Sequence, residues 1–449
     1  MTRPPRIAVI GAGISGLAAA HSLRDAAAVT LFEASDYFGG HAHTATIELP
    51  RSSADTTRVA HGVDTGFLVY NDRTYPNLIR LFAELGVETA ASDMSFSVQA
   101  ARDNSGGRLE WSGNSLGTVF AQRRNLFDRR FLGMLGDLLR FNRLTTHIAE
   151  AGTEGEMAQP LGEFLDAHRF GAAFREWYFL PMMGCIWSCS TTRMLAFPVA
   201  TMIRFCHNHG LIQIANRPQW RTVRGGSRHY VEKIVAGLPD KRLNTSVRGI
   251  TRSDAGVLVA TDAGVERFDH VVLATHSDQS LAMLGDASPA EAAVLDAIRY
   301  QSNHAVLHTD ASVLPQCRAA WAAWNYERAD YERAGERESG RVCLHYLLNK
   351  LQPLPWEQPV IVSLNPVREI QRSQVMAEYD YDHPVLDLAA IRAQAEVPAL
   401  QGQRNTWFAG AWMGYGFHED GLKAGLAVAE GLRARLSAGE NPTTARLAA

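Results

Sequence analysis

Four short apolar runs stand out along the chain: Ile7–Ile10, Val29–Phe32, Val271–Ala274 and Trp407–Ala409. Uninterrupted runs of this length, bounded by turn residues, read as strands, the last of them short and buried. Between the first two, a helix of small residues (Ala18, Ala19, Ala20) is expected. After Tyr75-Pro76, the spacing of Leu78, Leu81, Phe82 and Leu85 predicts a helix ending at Gly86. Residues 94–111 read as strands and turns. From Arg123 to Gln213 the pattern is mainly helical and rich in aromatics. A β-rich stretch returns near Trp220, and Arg224–Ser227 opens another helix. Residues 247–274 alternate as hairpin strands, and residues 300–366 mix strands with tryptophans and tyrosines. An alanine-rich helix follows Gly421–Gly425, and the polar tail 439–449 reads as disordered.

The first strand runs straight into Gly11-Ala12-Gly13-Ile14-Ser15-Gly16, and the second ends at Glu33. This is G-x-G-x-x-G in its full strand–turn–helix setting, with an acid about 20 residues on. Gly11 permits the tight turn, Gly13 lets backbone approach a pyrophosphate, and Gly16 lets helix and strand pack closely. The helix then points its free N–H groups, including that of Ser15, at phosphate. Glu33 is placed to accept hydrogen bonds from a ribose. A second glycine turn, Gly39-Gly40-His41, follows.

A chain of 449 residues has room for two or three domains. A hydrophobic share of 46% and a charged share of 20% describe a globular protein with a large core. The net charge of −3 gives no reason to expect nucleic acid. The five cysteines are odd in number and lack a C-x-x-C pair, so neither a disulfide framework nor a zinc site is expected. Cys185 and Cys189, four apart, read as buried thiols, and His207 and His209 as ordinary polar residues. Arg3 and Arg6 precede an apolar run as in a signal peptide, but that run is the nucleotide strand. No apolar segment reaches the ~18 residues of a membrane span. The expected location is cytoplasmic.

One segment is locally basic. Residues 123–143 hold six arginines and two aspartates, with Phe127, Phe131, Leu135 and Leu138 at helical spacing. Such a helix can lie on an anionic membrane, or cap a domain with a solvated arginine face; Gly133 and Gly136 weaken it.

Gly11–Gly16, Glu33, Gly39-Gly40, Val271–Thr275 and the Phe408–Gly410 … Gly421 … Gly425 run resemble the FAD-containing amine oxidoreductase superfamily. Asp64–Asn71, Gly225–Arg228 and Gly416–Gly421 resemble one bacterial FAD/NAD-binding branch, associated with cyclopropane-type fatty-acid modification. The resemblance implies an α/β fold: a discontinuous Rossmann-like FAD domain of the glutathione reductase/amine oxidase type, with an inserted mixed α+β substrate domain. The FAD domain is then residues 1–76, 220–290 and 400–438, and the substrate domain residues 77–219 and 291–399.

FAD would be held at its adenosine end by Gly11, Ala12, Gly13, Ser15, Gly16 and Glu33, with Val247 bracketing the adenine. Gly39, Gly40 and His41 follow along the dinucleotide. Gly410 lets the chain pass the ribityl phosphate, and Gly421 and Leu422 offer N–H groups to the flavin. The family's Gly-Gly-Arg is here Gly-Gly-His41, which replaces the cation only when protonated. The strand on which many amine oxidases carry a lysine resembles Tyr300–Leu307, where Asn303 or His304 stands instead. Phe417, Tyr415 and Trp412 are candidates for an aromatic substrate wall. His304, His418 and Glu419 are candidate bases, and Lys423 is read as structural or phosphate-facing.

The aromatic residues between Phe164 and Phe205 suit a lipid tunnel or a helical core. The expected activity is flavin-dependent dehydrogenation of a fatty-acyl or related lipid chain. Amine oxidation with oxygen, redox-neutral double-bond isomerisation, and a non-catalytic partnership with a lipid-modifying enzyme are the alternatives.

Overall fold

The computed structural model describes residues 3–101, 107–153, 159–187, 194–212, 217–253, 256–328 and 342–438. Cys189 and the tail 439–449 lie outside the described residues.

Five parallel strands form the first sheet, in the order Asp240–Arg242, Ala28–Phe32, Arg6–Ile10, His270–Leu273, Thr406–Phe408. All four pairings are parallel. Counted by sequence the order is 3-2-1-4-5, so strand order reverses beside Arg6–Ile10, and ligands of such sheets bind at that switch point. Continuous apolar runs suit these strands because both faces are covered. On one side lie the first helix (Ile14–Leu23), the last helix (His418–Ser437) and the helix Arg228–Ala236. On the other lies an antiparallel three-stranded sheet, Val247–Ser253, Gly256–Thr261 and Gly264–Phe268, with the helix Leu388–Leu400.

The first and last helices cross at glycines. A Cβ on Gly425 would lie 2.2 Å from the Ser15 carbonyl oxygen, and one on Gly421 would lie 2.7 Å from Ile14 Cγ2. The two ends of the chain are thereby joined beside the G-x-G-x-x-G turn.

A seven-stranded sheet stands apart. Its order is Val375–Pro384, Tyr300–His308, Ile361–Leu364, Cys343–Leu347, Trp324–Glu327, Phe96–Ala101, Arg108–Ser112. The helical segment packs on it, with Phe141, Phe170, Phe174 and Phe179 stacked together in the interior. These aromatics are core residues. The same apolar body runs on without a break to Trp187, Phe205, Tyr381, Tyr415 and Phe417.

The basic segment is not one helix. Residues Arg123–Phe127 form a 3-10 turn, Asp128 caps a new helix, and Arg129–Ala151 continues through Gly133 and Gly136. Phe131 is buried, whereas Phe127 is 87% exposed, because the break at Asp128 swings it off the face that its spacing suggested. Among the described residues no helix is long and apolar enough to cross a membrane.

Candidate functional site

The site is built at the turn after Arg6–Ile10. Gly11 takes φ +95°, and a Cβ there would lie 2.6 Å from the Ala274 carbonyl oxygen; on Gly16 it would lie 1.8 Å from that of Gly11. Any larger residue at either position would force strand and helix apart. Gly13 is different: nothing lies within 4 Å of its Cβ position, so the helix N-terminus faces open space. The first amides of that helix have no intrahelical partner and would meet a phosphate there.

Glu33 accepts hydrogen bonds from the Ala12 N–H at 2.8 Å and the Ser35 N–H at 2.9 Å. The Thr245 N–H reaches the Glu33 carbonyl at 2.8 Å, which sets the start of Val247–Ser253, with half-buried Val247, beside the acid. The Gly39 N–H binds the Ala12 carbonyl at 2.9 Å, and a Cβ on Gly40 would lie 3.2 Å from Gly13 Cα. The second glycine turn therefore lies directly against the first.

His41 comes next. Its Nε2 is buried without a partner. Its ring lies 5.2 Å from that of Tyr381 and 5.4 Å from that of His383. Burial, with His383, His276 and His418 nearby, lowers its pKa to about 3. It is neutral here and does not supply the charge of the family's arginine. An orphaned ring nitrogen beside the two glycine turns is what a bound dinucleotide would satisfy, so these residues fit the cofactor.

The register of Tyr300–His308 decides between Asn303 and His304. Asn303 pairs with Tyr381 and His304 with Asp380. Successive side chains point to opposite faces. His304 sits on the outer face, 42% exposed, with Asp380 Oδ1 at 3.1 Å and Glu378 Oε2 at 3.2 Å. It does not reach the site. Asn303 is fully buried, with Nδ2 3.3 Å from His383 Nδ1, and Oδ1 accepts from Asn365 Nδ2 at 2.9 Å. The alternation Tyr379, Tyr381, His383 against Glu378, Asp380, Asp382 is the sequence signal for this face. Sequence reasoning passed over it.

The other candidate bases are structural. Both Glu419 oxygens accept from the helix Pro76–Leu85: Oε1 from the Asn77 N–H (3.1 Å) and Nδ2 (2.7 Å), Oε2 from the Leu78 N–H (3.0 Å). That is a helix cap supplied across 342 residues of sequence. His418 stacks on Phe67 at 3.8 Å and shares a 2.6 Å hydrogen bond between Nε2 and the Tyr230 hydroxyl. Burial lowers its pKa to about 3.

The C-terminal glycines serve packing. The Gly421 N–H goes to the Phe417 carbonyl at 3.1 Å, and Leu422 is core. The helix starts three residues earlier, so the amides without an intrahelical partner are those of His418 and Glu419. A Cβ on Gly410 would lie 2.1 Å from Trp412 Nε1. Trp412 itself is buried on the far side of the sheet and donates to the Thr275 carbonyl at 3.1 Å, so it is no part of a substrate wall.

Tyr415 and Phe417 do face the helical segment. Phe417 stacks on Phe205 at 5.1 Å, with Trp187 at 6.4 Å and His209 at 5.9 Å; Tyr415 lies 5.8 Å from Phe205. Asp420 Oδ2 fixes the loop by accepting from both the Tyr415 and Phe417 N–H groups at 3.1 Å. His209, read from sequence as ordinary, belongs to this wall. Its Nδ1 is 3.0 Å from the Phe205 carbonyl, which only accepts, so Nδ1 carries the proton and Nε2 the lone pair. Burial lowers its pKa to about 4, so it is neutral at pH 7.

One buried group of metal-ligating types, Glu327, Cys343 and His345, lies in the seven-stranded sheet. Its atoms have protein partners: Glu327 meets Arg108 (2.7 Å), Arg368 (2.9 Å) and His345 (3.1 Å), and His345 Nδ1 meets Ser363 Oγ (2.6 Å). Two guanidiniums on the one carboxylate make it an ion-pair network that disfavours a cation.

The parallel sheet, the glycine turns and the acid define a dinucleotide-binding flavoprotein fold. The family model for flavin containing amine oxidoreductases matches residues 14–315, and the chain belongs to that family. It is an FAD-dependent oxidoreductase. Similar solved structures include a CLA-producing fatty acid isomerase from P. acnes (17% identity, TM-score 0.64, 96% of this chain and 99% of that one). A putrescine oxidase bound to putrescine is similar at 15% identity and TM-score 0.67, over 96% and 99% of the two chains. Cyclohexylamine oxidase from Brevibacterium oxydans IH-35A is similar at 16% identity and TM-score 0.63, over 97% and 100%. At these identities the likeness concerns the fold.

Proposed function

We propose that the protein dehydrogenates a fatty-acyl or related lipid chain. The observation that carries this reading is the uncharged wall around Phe417: Trp187, Phe205, Tyr415 and a neutral His209. An alkyl chain gains about 0.8 kcal/mol per buried methylene against such a surface. An ammonium ion would lose hydration there, and the adjacent Asp420 carboxylate is already engaged by the Tyr415 and Phe417 N–H groups.

Bound FAD supplies a hydride acceptor. The protein positions the chain and excludes water. Gly11, Gly13, Gly16, Glu33, Gly39, Gly40 and His41 would hold the dinucleotide. His209 Nε2, which carries the lone pair, would be the base that accepts a proton from the neighbouring carbon. The role of Asn303 is to hold His383 at the inner face of the sheet.

A second reading, redox-neutral movement of a double bond, is favoured by the fatty acid isomerase among the similar structures. The test is anaerobic mixing of the flavin-loaded protein with unsaturated acyl lipids and with amines, with product mass analysis. Flavin bleaching by lipid supports dehydrogenation. Lipid isomerisation without net bleaching supports the second reading. Bleaching by amines alone overturns both, and failure of every donor points to a non-catalytic partner role.

A further inference from the structure

We infer that the face formed by residues 116–143 is a docking surface for an anionic phospholipid membrane. Eight large apolar residues are conspicuously exposed among the described residues, and five of them fall here: Leu116 (80%), Leu126 (45%), Phe127 (87%), Leu132 (43%) and Leu139 (52%). Clustering of this kind marks an interaction site, whereas scattered apolar residues do not.

The local geometry holds them together. The short helix Leu116–Val119 is tied to the long one by the Phe120–Phe131 contact at 6.0 Å, and Phe127 precedes the Asp128 cap directly. On the long helix, Leu132, Gly136, Leu139 and Arg143 recur at helical spacing along one exposed stripe. Among the described residues nothing lies within 4 Å of the Cβ positions of Gly133 or Gly136, so none of their helices crosses there.

Charge selects the occupant. Arg123, Arg124, Arg129, Arg130, Arg140 and Arg143 are all exposed, in a chain whose net charge is −3. The two local acids are engaged: Asp128 caps the helix, and Asp137 holds Arg140 at 2.8 Å and the Gly171 N–H at 2.8 Å. Exposed apolar side chains ringed by arginine match an anionic lipid interface, where the apolar groups enter the acyl boundary and the guanidiniums meet phosphate. A second copy of the same face would set arginine against arginine.

The opposite side of this helix explains what docking would achieve. Phe131, Met134 and Phe141 belong to the apolar body that ends at Tyr415 and Phe417. Resting on the function proposed above, the membrane is then the source of the acyl chain, and the buried face of the helix belongs to the same apolar body as the aromatic wall.

The experiment is flotation of the flavin-loaded protein with vesicles of phosphatidylcholine, with and without phosphatidylglycerol, at low and high salt. Wild type should float with anionic vesicles at low salt and much less at high salt. Leu116→Ser/Phe127→Ser should lose at least about tenfold in vesicle affinity, and Arg123→Glu/Arg129→Glu about tenfold or more. Unchanged flavin content and melting temperature would show that both variants fold. The inference is overturned if wild type stays in the aqueous layer at low salt, or if both variants float as wild type does. It is also overturned if light scattering shows a dimer that Leu116→Ser/Phe127→Ser splits. Flotation needs no substrate, so its failure leaves the redox reading standing, and absent flavin bleaching leaves the docking surface standing.

Discussion

Ser227 donates both its amide and its hydroxyl to Asp64 Oδ1, each at 2.8 Å, across 163 residues of sequence. Thr44 Oγ1 donates to the same oxygen at 2.6 Å, and Gln352 Nε2 to the other at 2.7 Å. One buried carboxylate thus joins the strand after the second glycine turn, the Gly225-Gly226 loop and the segment that follows the strand Cys343–Leu347. Backbone freedom at Gly226 permits it: φ is +107°, and a Cβ would lie 2.2 Å from Thr44 Cγ2. The neighbouring Gly66 and Phe67 hold His41 through its carbonyl, which accepts the Phe67 N–H at 2.7 Å.

Asp64→Ala leaves these donors unpaired and should lower stability by about 3 kcal/mol, read from urea unfolding. In the wild type, burial outweighs the four hydrogen bonds and raises the Asp64 pKa from 3.8 to about 6. A carboxyl pKa raised by folding favours the folded state below pH 3.8. That contribution falls away as pH rises through about 6. Asp64→Ala should therefore show a smaller fall in stability between pH 4 and 7 than wild type.

Glu33→Ala should weaken FAD retention by about 10- to 100-fold, because a charge-assisted acceptor at the ribose is lost. The check is reconstitution of the apoprotein, followed by flavin fluorescence. Gly16→Ala should abolish uptake, since its methyl would overlap the Gly11 carbonyl.

His304→Gln should leave turnover unchanged, as its ring meets Glu378 and Asp380 on the outer face. Glu419→Ala should cost about 2 kcal/mol of stability with little change in the chemical step of the folded fraction, because it removes a helix cap. Turnover per bound flavin separates the two effects.

His209→Leu keeps the wall apolar and removes the lone pair at Nε2. It should lower kcat about 100-fold or more while KM for a long-chain substrate changes little. Phe417→Ala should do the reverse, raising KM about tenfold through lost burial. Steady-state kinetics on the best acyl donor distinguishes them.

The Glu327–His345 pair should give stability a plateau in mild acid. Burial opposes charge on His345, but the Cys343 sulfur and the Glu327 carboxylate raise its pKa from 6.5 to about 9. A raised histidine pKa stabilises fully below 6.5 and is lost as pH climbs through 9. Burial likewise opposes charge on Glu327, but His345, Arg368 and Arg108 hold its pKa at about 2 against 4.5. That contribution is complete above 4.5 and is lost as pH falls through 2. Thermal melts of His345→Gln should lie furthest below wild type between pH 4.5 and 6.5.

The cofactor half of the molecule was legible because its physics is local. Apolar runs too short for helices had to be buried strands, as Arg6–Ile10 and Ala28–Phe32 are. G-x-G-x-x-G needs glycine for contacts within its own turn, between Gly16 and the Gly11 carbonyl. The turn at Gly86 and the helix before it followed from spacing alone.

The chemical end was decided elsewhere. Register, a matter of one residue, turned Asn303 inward and His304 outward, and only pairing with the strand Val375–Pro384 fixes it. Glu419 became a cap because the helix Pro76–Leu85 happens to start beside it, and His209 joined the site because Phe205 carries it against Phe417. Sequence by itself determined the strands Arg6–Ile10 and Ala28–Phe32 and the glycine turn between them, since those follow from neighbours along the chain. Tertiary structure alone decided which histidine or asparagine turns inward and which carboxylate is held in a cap, since partners such as Glu419 and Asn77 lie 342 residues apart.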